Sequence, residues 1–151
     1  MAASSASSRL LRAAYNYATS LLHLKHFQEA KSLMRRTLPV AKRVLGESSE
    51  LALMMRSNYG MALHADDDAT LDDLREAVTR LEDAERTARR VFGGAHPVAT
   101  AIGCDLREAR AALRTRETQD LAQDAFRTAR AALAQERAEL AQTLADAARQ
   151  S

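Results

Sequence analysis

The stretch Asn16-Tyr-Ala-Thr-Ser-Leu-Leu-His-Leu-Lys-His-Phe-Gln-Glu-Ala30 returns, altered, 42 residues later at its start and 47 at its end. Asn16-Tyr17-Ala18 becomes Asn58-Tyr59-Gly60, and Phe27-Gln28-Glu29-Ala30 becomes Leu74-Arg75-Glu76-Ala77. The tails also match, Arg43-Val44-Leu45-Gly46 against Arg90-Val91-Phe92-Gly93. A unit of this size cannot bury its own apolar face, so its recurrence constrains the chain to a stack in which each unit covers the next. Such a stack is a surface for holding something before it is an enzyme.

Composition decides what the units are made of. Aromatics are 4% and Trp is absent, so the core must be built from Leu, Ala, Val and Met. Ala is the strongest helix former and lets helices approach closely. Two Pro and five Gly leave few breaks. The expectation is an all-α chain of one domain, with about six helices in three antiparallel pairs and a long C-terminal helix.

The helices are expected at about 8–24, 27–45, 49–65, 70–92, 97–114 and 118–148. Residues 1–7 are expected to be a short disordered N-terminus ahead of a helical domain spanning 8–151. Within that domain, repeat 1 covers about 8–48 and repeat 2 about 49–95. A degenerate third repeat with a capping helix covers about 96–150. Gly46 and Gly93-Gly94 are stop signals, Ser48 or Ser49 and Asp68 or Thr70 are caps, and Pro97 suits a first helical turn. Pro39 inside the second helix is expected to kink or shorten it.

In the last helix Phe126, Leu133, Leu140 and Ala147 recur every seven residues, with Leu144 on a neighbouring position. Two readings stay open. The stripe covers the last apolar edge of the stack, or it meets another chain as a coiled coil.

Charge and cysteine usage narrow the function classes. Net charge is +2 with both signs mixed, and no basic stripe with interleaved aromatics exists, so nucleic acid is not the expected partner. The single Cys104 excludes an intramolecular disulfide and fits a reducing, cytoplasmic setting. No apolar run reaches the roughly 18 residues of a membrane span. The segment before Glu29 has no acid, as in an organelle transit peptide, but from Ser8 onward it is in register with the first repeat helix. Cytoplasm is therefore the expectation, with organelle import the alternative.

The period and its motifs resemble the tetratricopeptide repeats of kinesin light chain. Asn16-Tyr17-Ala18 with Phe27-Gln28-Glu29-Ala30 fills the opening block. Leu45-Gly46 and Phe92-Gly93-Gly94-Ala95-His96-Pro97-Val98-Ala99 fill the connector. The match covers about 8–140 and thins in the third unit, where Asp105-Leu106 stands for Asn-Leu and Arg107 for the small packing residue filled by Ala18 and Gly60. Lys25 and Asp67 replace the glycine of the turn within a pair, and Asp66–Asp73 carries an acidic insert.

The resemblance implies a right-handed superhelical stack, an α-solenoid, whose first helices line a concave groove that binds a peptide or protein. Groove positions carried over are Arg12, Tyr15, Asn16, Thr19 and His23; Met54, Ser57, Asn58, Met61 and Ala65, with His64 on the flank; and Ala101, Cys104, Asp105 and Glu108. An amide such as that of Asn16 or Asn58 can clamp a peptide backbone from either side, and Arg12 can meet a carboxylate.

Other constellations carry less. His23, His26, His64 and His96 lack the further ligands that zinc needs. Asp66, Asp67, Asp68, Asp72 and Asp73 lack the glycine and closing glutamate of a calcium loop, and read as a solvated turn or an acidic docking patch. No phosphate loop, nucleophile elbow or nucleophile–base set is present. The expectation is a non-catalytic protein-binding scaffold without cofactor or metal. The alternative is a small structural subunit, or a fragment of a longer repeat protein, contacting a larger assembly through its convex face or its C-terminal helix (Phe126, Leu133, Leu140 and Leu144), with a homodimer through that helix as a further alternative.

Overall fold

The computed structural model describes residues 2–150, with side chains from Ser5 onward. Met1 and Ser151, which the expected domain limits include, lie outside them. The described chain is all-α, with five helices: α1 Ala2–His23, α2 Phe27–Leu45, α3 Glu50–His64, α4 Leu71–Phe92 and α5 Pro97–Gln150. Residues up to Arg114 form one compact unit and those from Thr115 onward a second.

Two expectations are corrected. The chain is helical from Ala2, not from residue 8, because the Ala/Ser opening contains no breaker. The fifth and sixth helices are one, since 114–118 (Arg-Thr-Arg-Glu-Thr) holds neither Gly nor Pro, and good helix formers continue on both sides. The helix count is therefore five, and the third unit has no second helix of its own. Pro39 does not shorten α2, which runs on to Leu45.

The connectors between pairs are built alike. Gly46 and Gly93 both take positive φ, 82° and 89°, and each N–H closes the last turn onto the carbonyl of Lys42 or Arg89. That conformation favours glycine, which explains the repeated Leu-Gly and Phe-Gly. Ser49 then caps α3 by accepting from the Ala52 amide. At the matching place His96 Nδ1 accepts from the Val98 amide, and its ring stacks on Phe92 at 4.7 Å. Thr70 and Asp73 form a reciprocal capping box at the start of α4. Lys25, in the turn after α1, has φ 60°, the left-handed conformation of the glycine it stands for.

In the first unit α2 packs on α1 and α3, α4 on α3, and α1 on α3. One core cluster runs from Leu11, Ala18 and Met34 through Leu53, Met55 and Leu63 to Leu81, Ile102 and Leu106. Small residues set the spacing. Ala18 is fully buried, and Gly60 sits so close to Leu81 that an added Cβ would lie 2.6 Å from its Cγ. An ion pair, Lys31–Asp73, ties α2 to α4, and the Lys31 ammonium with the Thr70 bonds holds the Asp73 carboxyl below its usual range.

The second unit is the remainder of α5. Its side chains from Leu121 onward are exposed, including Leu121, Phe126, Leu133, Leu140 and Leu144. Pairs one turn apart line it, among them Arg127–Asp124 and Arg149–Asp146. No helix among the described residues is long and apolar enough to cross a membrane.

Candidate functional site

The sequence-predicted positions of α1, α3 and the start of α5 are joined by two hydrogen bonds. Asn58 Nδ2 donates to Thr19 Oγ1 at 2.9 Å, linking α3 to α1. Ser57 Oγ donates to Asp105 Oδ2, linking α3 to α5. Thr19 in turn donates to the Tyr15 carbonyl. A polar row thus crosses three helices, joining residues 39 and 48 positions apart in the sequence.

The row differs from an open amide clamp. Asn58 is 8% exposed and Ser57 7%, so both spend their polar atoms on neighbouring helices. Asn16, the counterpart of Asn58 on α1, is exposed, as are Arg12, His23, Ala101 and Glu108. Tyr15, Thr19, Met54, Met61, His64, Ala65, Cys104 and Asp105 are half-buried. The surface offered is therefore mixed, with polar groups at Arg12, Asn16 and Glu108 and thioethers at Met54 and Met61.

Two groups in this region titrate abnormally. Burial pushes the Asp105 carboxyl up; the Ser57 hydroxyl opposes this and Glu108 adds to it. Burial holds the His64 imidazole down, with the Glu108 charge opposing. His64 Nε2 is buried with no hydrogen-bond partner. An unsatisfied buried ring nitrogen costs about 1–3 kcal/mol.

A second feature was not legible from the sequence. A cavity of about 400 Å³ opens where α2, α3 and α4 meet, lined by Arg35, Leu38, Pro39, Lys42, Tyr59 and Arg80 among others. The Tyr59 hydroxyl accepts from Arg35 at 3.3 Å and donates to Glu76 at 3.2 Å. Arg80 lies over its ring at 5.9 Å and also pairs with Glu76. The other cations here are paired too, Arg56 with Asp83 and Lys42 with Glu47. The only signal was Tyr59 itself, read as a packing residue, and it is 4% exposed.

The acidic turn is engaged locally. Asp66 accepts from Gln28 at 2.6 Å and from the Asp68 amide. His26 pairs with Glu29 at 2.7 Å. Among the described residues no three His, Cys, Asp or Glu side chains group to hold a metal ion.

No protein-family model, no curated protein and no solved structure matches this chain.

Proposed function

We propose that the chain is a non-catalytic, tetratricopeptide-type helical module that holds a segment of a protein partner along the face of α1, α3 and the start of α5. The observation that carries this reading is the polar row Thr19–Asn58 and Ser57–Asp105, flanked by Met54, Met61 and the unpartnered His64 nitrogen. Three helices from separate repeats contribute to one continuous face, and its buried polar atoms fix its shape before any ligand arrives. The recurrence of the Gly46 and Gly93 connectors supports a solenoid arrangement of the pairs. Arg12, Asn16 and Glu108 would meet the partner, with Asn58 and Ser57 positioning the helices beneath.

The test is affinity capture from the source cell with wild type and with Arg12→Glu plus Asn16→Ala, both exposed positions on α1. Loss of a stoichiometric partner without loss of helicity is the expected result. Retention of every partner would refute groove binding.

A second reading is favoured by a separate observation, the exposure of Phe126, Leu133, Leu140 and Leu144. In it, the chain is a structural subunit held by its C-terminal helix. Leu133→Asp with Leu140→Asp would then abolish capture, whereas the α1 variant would not.

A further inference from the structure

The repeat allows one face to be compared position by position. On α3, Ala52, Met55, Tyr59 and Ala62 are buried, with Ala52 and Tyr59 where α2, α3 and α4 meet and Ala62 clustered with Ala30 of α2. Forty-seven residues on, their counterparts Ala99, Ile102, Leu106 and Ala109 of α5 are buried as well. Forty-two residues before, the counterparts are Leu10, Ala13, Tyr17 and Ser20 of α1, and all four are exposed. Leu10 is 71% exposed against 2% for Ala52, and Tyr17 56% against 4% for Tyr59. The row continues through Ala6 to Leu24, also exposed. The same surface that takes a covering helix inside the stack is bare on α1.

We infer that this face of α1 binds the α1 of a second copy of the chain, antiparallel, about a two-fold axis. The surface is self-complementary in only that sense. Large residues (Leu10, Tyr17, Leu24) alternate with small ones (Ala6, Ala13, Ser20) at steps of three and four. An antiparallel pair sets Ala6 against Leu24, Leu10 against Ser20 and Ala13 against Tyr17 of the other copy, one large and one small side chain in every layer. A parallel pair would set Leu10 on Leu10 and leave the small layers void, against the close packing that interfaces need. Arg9 and Arg12 lie off the row, and α1 carries no acid, so no charge is buried.

This row lies beside the partner face and meets it at Asn16, and the association stands whether or not that face binds a peptide. The exposed row offers on the order of 500 Å² per copy, at the low end for specific interfaces, so association in the micromolar range is expected.

Sedimentation of the full chain across micromolar concentrations tests this. A reversible monomer–dimer equilibrium is expected, abolished by Leu10→Glu with Tyr17→Glu at unchanged helicity and retained in Leu133→Asp with Leu140→Asp. In the antiparallel register Asn16 flanks the axis and faces its own copy. Asn16→Cys in a Cys104→Ser background should therefore join two chains through a short bismaleimide. A wild type that stays monomeric, assembles beyond a dimer, or loses its dimer only on changing Leu133 and Leu140 overturns the inference. So does efficient dimerisation without the cross-link.

Discussion

Replacing Gly60 by Ala sets two effects of known size against each other. In the interior of α3 the change gains about 1 kcal/mol of helix propensity. The new methyl, however, would lie 2.6, 2.7 and 2.9 Å from Leu81 Cγ, Cδ2 and Cδ1. Carbon atoms in contact sit about 3.5–4.0 Å apart, so three overlaps of roughly 1 Å must be relieved. Leu81 is fully buried and cannot swing aside without moving its neighbours. Overpacking of this kind costs about 1–3 kcal/mol, occasionally more.

The overlap wins, and a net loss of about 1 kcal/mol is expected, since close packing against a Leu leaves little relaxation. In a Leu81→Ala background, itself costing about 2–5 kcal/mol, the sign reverses: the obstacle is gone and Gly60→Ala stabilises by about 1 kcal/mol. Urea unfolding followed by tyrosine fluorescence is the assay, because Tyr15, Tyr17 and Tyr59 all lie in the first unit. Stabilisation by Gly60→Ala in the wild type, or an equal effect in both backgrounds, would refute the reasoning.

Further predictions concern single residues. Lys25→Gly relieves a side chain held at φ 60° and should raise stability by about 1 kcal/mol, read from the same urea midpoint; destabilisation would mean that the lysine side chain itself supports the turn. Asp105→Asn should stabilise the chain by on the order of 1 kcal/mol at neutral pH, because it removes a carboxylate that burial disfavours. The raised carboxyl binds its proton more tightly folded than unfolded, so the advantage is full above its folded pKa and fades as pH falls towards the ordinary carboxylate range. An advantage independent of pH would refute this. The depressed His64 works the other way. Its neutral form suits the folded state, so stability should fall as pH drops below 6.5, and His64→Leu should flatten that decline.

Local chemistry was legible where single residues dictate the backbone. Gly46 and Gly93, the Ser49 and Thr70 caps and Pro97 stand where their conformational preferences place them. The break expected near residues 114–118 came from the repeat pattern, not from these residues, and none of them enforces a turn. Asn58 was expected to face a ligand because its amide is versatile. Its environment is set instead by Thr19, 39 residues away, a contact that no local pattern reports. The Arg35–Tyr59–Glu76 cluster is non-local in the same way. The bare row on α1 was present in the sequence as Leu10 and Tyr17, but only the burial of Ala52 and Tyr59 reveals what it lacks.

The far side of α5 completes the comparison. Where α1 has Leu11, Ala18 and Leu21, and α3 has Leu53, Gly60 and Leu63, all buried, α5 has exposed Thr100, Arg107 and Arg110. Arg110 reaches back to Glu82 of α4 at 2.7 Å. An apolar helix laid on that flank would have to cover the Arg107 guanidinium and the Arg110–Glu82 pair, which the α1 row does not ask of it. The proposed pairing through the α1 row would use up that surface in both copies, so it closes at two and does not run on into fibres.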